Sequence, residues 1–139
     1  MAIQQISVFV ENKPGMLLKN VQKISEAGIN LRALSIADTQ DFGILRLIVS
    51  DTERTKEVLS ADNLVTTTRV VAAKMEDEVG ALYTILKALG DQNINIEYMY
   101  AFTASEAYGA YVVMRVDDVE QAEAALHASG IATLEDADI

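Results

Sequence analysis

The chain has no cysteine, one histidine and one proline among its 139 residues. Without cysteine there is no disulfide framework, no thiolate nucleophile and no sulfur ligand for a metal, and the composition fits a reducing compartment. A lone histidine, His127, cannot assemble a metal site. It falls in the last turn of a helical pattern, where a partly exposed residue is the simpler reading than a ligand or a base. Basic residues are also scarce, 11 against 21 acidic ones for a net charge of −10. Phosphate backbones and anionic membranes repel such a chain, which argues against nucleic acid and membrane partners. No stretch approaches the ~18 apolar residues of a membrane helix. The opening Met1-Ala2-Ile3-Gln4-Gln5 lacks the basic residues and apolar run of a signal peptide, so a cytoplasmic location is expected.

Motifs of catalysis are missing as well. There is no phosphate-binding Walker loop, no Gly-x-Gly-x-x-Gly after a strand and no serine in a nucleophile-elbow context. Carboxylates are plentiful, but Glu76, Asp77 and Glu78 most simply act as favourable charges at a helix start, and Glu135, Asp136 and Asp138 solvate the end of the chain. No nucleophile and base can be paired. The expectation is a protein that is not an enzyme and holds neither metal nor cofactor.

What the sequence does contain is a repeat. Gly15, Leu17, Ile29 and Asn30 recur as Gly80, Leu82, Ile94 and Asn95, 65 residues further on. The apolar positions Val21, Ile24 and Leu31 recur as Leu86, Leu89 and Ile96. Two diverged copies of a unit of roughly 65 to 70 residues therefore fill the chain, with domains expected at 1–69 and 70–139. Each is small enough to be marginal alone, so burial against its sister or another chain is expected.

Within the first copy, Ile6, Val8 and Val10 alternate with Ser7, Phe9 and Glu11, the period of a strand with one apolar face. Glu11-Asn12-Lys13-Pro14-Gly15 interrupts it. Proline suits the first turn of a helix, and Asn12 or a neighbour suits its cap. Leu17, Leu18, Val21 and Ile24 follow helical spacing opposite Lys19, Asn20, Gln22, Lys23 and Glu26, and Gly28 ends the helix. Residues 31–37 and 44–49 read as strands joined by a turn. Ser50-Asp51-Thr52-Glu53 starts a short helix that ends near Leu59 or Ser60, and 64–68 reads as a fourth strand. The second copy repeats the order, with strands at 70–75, 96–102, 110–116 and 131–134 and helices carrying Leu82, Ile85, Leu86 and Leu89, then Val119, Ala122 and Leu126. Residues 65–75 favour strand almost throughout, so the boundary near Arg69 or Val70 is expected to be tight and the copies rigidly placed.

The order βαββαβ predicts an α+β fold of two ferredoxin-like units, each an antiparallel sheet with both helices on one face. Ile44, Leu45, Leu47, Ile48 and Val49 put apolar groups on both faces of their strand, as does the run from Tyr98 to Phe102. The face away from the helices is therefore expected to be buried, between the copies or in a homodimer. Tyr98, Tyr100 and Phe102 share one strand face and read as core or interface.

The turn at Asn12 to Leu17 carries the candidate chemistry. A glycine between strand and helix lets backbone approach a ligand closely, and the free N–H groups of a helix start suit a carboxylate. Asn30 opens the next strand and is expected to flank the same region. Its carboxamide both donates and accepts, as recognition of an amino acid zwitterion requires.

Glu11-Asn12-Lys13-Pro14-Gly15-Met16-Leu17, followed by Glu26-Ala27-Gly28-Ile29-Asn30-Leu31, resembles the signature of the ACT domain, the βαββαβ module of amino-acid-regulated enzymes. Asp77-Glu78-Val79-Gly80-Ala81-Leu82 with Asn93-Ile94-Asn95-Ile96 resembles it less completely. The resemblance implies a non-catalytic regulatory module that binds an effector, usually an amino acid, at interfaces between ACT units of an oligomer. By position it implies a ligand loop of Asn12, Lys13, Pro14, Gly15, Met16 and Leu17 completed by Asn30, with Asp77, Gly80, Ala81, Leu82 and Asn95 as the second set. Asp77 in place of Asn12 opposes an incoming carboxylate, so that site is either vacant or turned toward an ammonium. The alternative function is an interaction module that docks on a metabolic enzyme without binding a ligand.

Overall fold

The alternation at residues 6–10 belongs to a strand, β1 (Ile3–Glu11), in a computed structural model that describes residues 3–38, 41–103 and 109–135. It is followed by α1 (Met16–Glu26), β2 (Leu31–Asp38), β3 (Phe42–Val49), α2 (Thr52–Ser60), β4 (Val65–Met75), α3 (Ala81–Gly90), β5 (Tyr98–Thr103), β6 (Ala110–Arg115) and α4 (Val119–Ala128). The chain folds as two compact units, one of residues Gln4–Thr68 and one that begins at Arg69 and takes in Ile3. Strand β4 passes through the boundary, so no linker separates them.

In the first unit the strands lie in the order β2-β3-β1-β4. β1 and β2 both pair antiparallel with β3, with Ile6 opposite Leu47, Val8 opposite Leu45, and Leu34 and Ile36 opposite the same two leucines. β1 and β2 therefore run in the same direction. Ile6, Val8, Val10, Leu45 and Leu47 form one core with Ile24 of α1 and Leu59 of α2. Each such side chain contributes about 1.5–3 kcal/mol through burial.

Helix α1 departs from the predicted stripe. Leu17 and Leu18 are 40% and 70% exposed, whereas Asn20, predicted on the polar face, is 2% exposed. A buried carboxamide is tolerated because its hydrogen bonds are made: Asn20 Nδ2 donates to the Met16 carbonyl at 2.8 Å and Oδ1 accepts from Asn63 at 2.7 Å. Asn63 in turn donates to the Leu59 carbonyl at 3.0 Å. This chain of amides ties α1 to the end of α2, and the ion pair of Lys23 with Asp62 reinforces it at the surface.

In the second unit β6 lies between β4 and β5, with Ala73 opposite Val112 and Ala101 opposite Val112 from the other side. Val71, Ala73, Val112 and Met114 pack on Ile85, Leu89, Ala122 and Leu126, and Ile94 and Ile96 join that core. The predicted last strand is reduced to a single bridge, Thr133 opposite Ala73. Lys74 N–H donates to the Ala132 carbonyl at 2.8 Å and Leu134 N–H to that of Ala72 at 2.9 Å, so the segment holds the fourth-strand position without strand length. His127 is exposed, and its Nε2 lies 2.8 Å from Thr133 Oγ1, which pins this segment to α4. Arg69 donates to Glu120 at 2.6 Å, and that hydrogen bond holds the Glu120 carboxyl below its ordinary range.

On the second unit's face away from its helices, Val70, Ala72, Tyr111 and Val113 are buried; in the first unit, Gln5 and Ser7 of β1 are buried on the side of β1 away from its helices. Tyr98, Tyr100 and Phe102 share that face and are half-buried, and the Phe102 and Tyr111 rings are 5.2 Å apart. Of the predicted acidic tail, Glu135 is exposed, and Asp136 and Asp138 lie outside the described residues. Among the described residues no helix is long and apolar enough to cross a membrane, and no group of three His, Asp or Glu is placed to hold a metal.

The buried amide chain gives a direct test. Asn20→Ala removes one of the two acceptors of the Asn63 amide, leaving that N–H unsatisfied, and should cost about 1–3 kcal/mol, read as a lower urea midpoint at unchanged slope. Asn63→Ala should cost a similar amount. The double variant should cost clearly less than the sum, because both substitutions remove the same bond.

Candidate functional site

The two strand-to-helix turns match bond for bond. In the first, Lys13 N–H donates to the Glu11 carbonyl at 2.9 Å, Met16 N–H to Lys13 at 3.3 Å and Lys19 N–H to Gly15 at 2.9 Å. In the second, Glu78 donates to Glu76 at 2.9 Å, Ala81 to Glu78 at 3.3 Å and Thr84 to Gly80 at 3.0 Å. Each turn ends on a glycine in the left-handed region, with φ of 82° at Gly15 and 86° at Gly80. These glycines are the N-caps of α1 and α3. Neither helix has a side-chain cap or an acidic residue in its first turn.

That arrangement corrects three expectations. Pro14 lies two residues before the helix, outside its first turn, and Asn12 does not cap it. Glu76, Asp77 and Glu78 likewise precede α3 and do not occupy its first turn. The other helix of each unit is built differently: Asp51 Oδ1 accepts from Arg54 N–H at 3.0 Å to cap α2, and Asp118 Oδ1 accepts from Gln121 N–H at 3.0 Å to cap α4. Beyond the Met16 and Ala81 N–H groups, which the turns engage, the next N–H groups at the starts of α1 and α3 have no capping side chain and are left for solvent or a ligand.

Sequence reasoning placed Asn30 beside the first turn, and the register puts it elsewhere. Leu31 pairs with Val49, whereas Glu11 pairs with Phe42 and Asp38 with Gly43. The turn therefore sits at the end of β2, and Asn30 precedes its start, roughly 23 Å away at ~3.3 Å per residue. The cause is topological: a helix between two parallel strands returns the chain to the end where the first strand began. Asn30 is exposed, and its backbone N–H donates to Ser50 Oγ at 3.0 Å. The second unit repeats the separation. Met75 and Thr103 both pair with Ala110 at the turn, while Asn95 precedes Tyr98 at the other end.

Around the first turn, Asn12, Lys13, Pro14, Gly15 and Leu17 are exposed and Met16 packs on the core. Lys13 pairs with Glu11 at 2.9 Å. At the second turn a cavity of about 670 Å³ opens, within the usual range for small-molecule sites. Asp77, Gly80, Ala81 and Leu82 line it, together with Glu76, Glu78, Met75, Tyr83, Thr103, Gly109 and Ala110. The structure therefore brings four of the five second-copy residues together and leaves Asn95 out. The lining residues from β5 and β6 were not found from the sequence. Their signal is the shared row of Met75, Ala110 and Thr103, which pattern reading does not supply without a register.

A family model described as an ACT domain pair matches residues 1–139. Protein BT0572 from Bacteroides thetaiotaomicron has a similar structure, with a TM-score of 0.90 and 35% identity over 99% of this chain and 95% of that one. The regulatory subunit of aspartate kinase from Thermus thermophilus, in its ligand-free form, shares the fold at a TM-score of 0.65 and 17% identity, covering 93% of both chains. Among proteins with curated functions, none matches this sequence.

Space around both N-cap glycines is open, with nothing within 4 Å of an added Cβ. Substitution there tests backbone conformation alone. Gly80→Ala should cost about 1–2 kcal/mol from the left-handed φ. Gly80→Asn should cost less, because asparagine tolerates that region. Chemical denaturation of the two variants, compared at equal slope, checks the order.

Proposed function

This chain belongs to the ACT domain pair family, and from that premise we propose that it is a regulatory module that binds an amino acid at interfaces between ACT units. The observation that carries the reading is the pair of matched turns. Each ends a strand on a left-handed glycine and opens a helix start that no side chain caps, while the other helix of each unit is closed by an aspartate. Backbone N–H groups so placed suit the ligand's carboxylate.

The far placement of Asn30 supports an interfacial site. β2 pairs only with β3 among the described residues, and it carries Leu34 and Ile36, 52% and 49% exposed, on the helix side of the sheet. An exposed edge with such content is a template for another strand. In an antiparallel pair of two β2 strands the start of one lies beside the end of the other. Asn30 of a second copy then approaches the end of β2, where Asn12 N–H is held by the Asp41 carbonyl at 2.9 Å. A carboxamide and a helix start, separated in one copy, meet across two.

The exposed Leu17, Leu18 and Phe42 beside the same turn favour a second reading, in which this surface docks on a metabolic enzyme without a ligand. Asn12→Ala combined with Asn30→Ala separates the two: enzyme capture survives in the docking reading, and the amino acid response is lost in the first.

Screening the standard amino acids by thermal shift is the primary test. A ligand at a hundred times its dissociation constant adds about 2.7 kcal/mol, a rise of several degrees at this size. No rise with any of them at millimolar concentration overturns the reading. Complementation tests the shared site. Asn12→Ala and Asn30→Ala should each abolish the response of the first site, and an equimolar mixture of the two should recover part of it, because a mixed dimer contains one intact site. A mixture as inert as its components would rule out sharing between copies.

A further inference from the structure

The two turns have one backbone and different charges. Position by position, Glu11 corresponds to Glu76, Asn12 to Asp77, Lys13 to Glu78 and Pro14 to Val79. In the first turn the Lys13–Glu11 pair leaves no net charge. In the second, three consecutive carboxylates, Glu76, Asp77 and Glu78, line the cavity of about 670 Å³, and among the described residues none of the lining is basic. Lys74, 3.8 Å from Glu76, offsets one of them from outside the lining. Much of the remaining lining is apolar, including Met75, Leu82, Ala110 and the ring of Tyr83.

The geometry points to a second specificity in this chain: the cavity of the second unit takes an ammonium-bearing ligand with an apolar body and rejects ligands of net negative charge. The inference rests on the small-effector reading above and names the ligand class of one of its two sites. A carboxylate without a cationic partner, though exposed, disfavours an incoming anion and favours a cation. The apolar lining residues supply area that a bare inorganic cation or a small hydrophilic diamine would leave unused. Equivalent backbone at both turns makes the difference in ligand charge the property that distinguishes them, so the protein reads two chemically different inputs.

Two charge series of constant apolar body test this by calorimetric titration of the full chain at neutral pH: leucinamide, leucine and 4-methylpentanoate, then phenylalaninamide, phenylalanine and 3-phenylpropionate. In at least one series the amide should bind at least about tenfold more tightly than the carboxylate, the effect of one favourable charge contact. The double variant Asp77→Asn, Glu78→Lys gives the second turn the charges of the first. It should weaken the amide about tenfold and strengthen the carboxylate. Equal binding of amide and carboxylate, or a preference the double variant leaves unchanged, overturns the inference while any amino acid response keeps the effector reading. Silence of all six compounds also overturns it, and the thermal-shift screen of the standard amino acids decides the effector reading separately.

Discussion

Whether a helix start in this protein is open or closed is decided by the residue that caps it. An aspartate at the N-cap accepts a hydrogen bond from a first-turn N–H with its carboxylate, as Asp51 and Asp118 do, and so occupies a group that would otherwise face solvent or a ligand. A glycine at φ 82° or 86° supplies no side chain. It turns the chain sharply enough for the strand to enter the helix with the carbonyls at 13 and 78 accepting from residues 16 and 81. The first helix of each unit therefore begins without a side-chain cap, at a cost of about a few tenths of a kcal/mol relative to an aspartate, and the second helix begins with one. Core packing supplies that stability: Ile24 and Ile85 are buried against the sheets.

Register then decides what the open helix start can meet. Because β1 and β2 run in the same direction on either side of β3, the residues that lead directly into β2 lie at the far end of the sheet from the turn. No side-chain length bridges that separation. The groups at the turn end come instead from the ends of β2 and β3, or of β5 and β6, and from whatever joins the open edge. Any site at the turn would therefore draw on the hairpin of its own sheet, from which Thr103 and Ala110 line the cavity at Gly80, or on a second copy.

Much of this was legible in the residues, and the misses share a cause. Alternation and helical spacing located each helix and nearly every strand, the Asp51 cap was readable from Ser50-Asp51-Thr52-Glu53, and the repeat itself set the βαββαβ order. Helix faces were harder. Asn20 was assigned to solvent by polarity, yet a partner 43 residues away in sequence satisfies its carboxamide inside the protein. Leu17 and Leu18 were assigned to the core by hydropathy, yet the helix begins at Met16 and its inward face runs through Met16, Asn20, Ile24 and Ala27. A strand at 131–134 was read from β propensity, and only one residue of it pairs as a bridge. Local pattern records what a residue prefers, whereas burial and pairing depend on which distant segment arrives.

Charge at the turns is the property the fold constrains least. The bonds that shape both turns run between backbone groups, and residues 11–15 and 76–80 are all exposed. Surface substitutions without a packing or capping role usually change stability by no more than about 0.5 kcal/mol. Lys13 and Glu78 can therefore stand at equivalent places with opposite sign, and neither turn loses its geometry. Proline at 14 and valine at 79 differ for the same reason: neither N–H is needed by the turn, whose donors are at 13 and 16 in one copy and at 78 and 81 in the other. A duplicated unit built this way preserves the backbone of its turn through the glycine, and the side chains beside that glycine are free to diverge in charge.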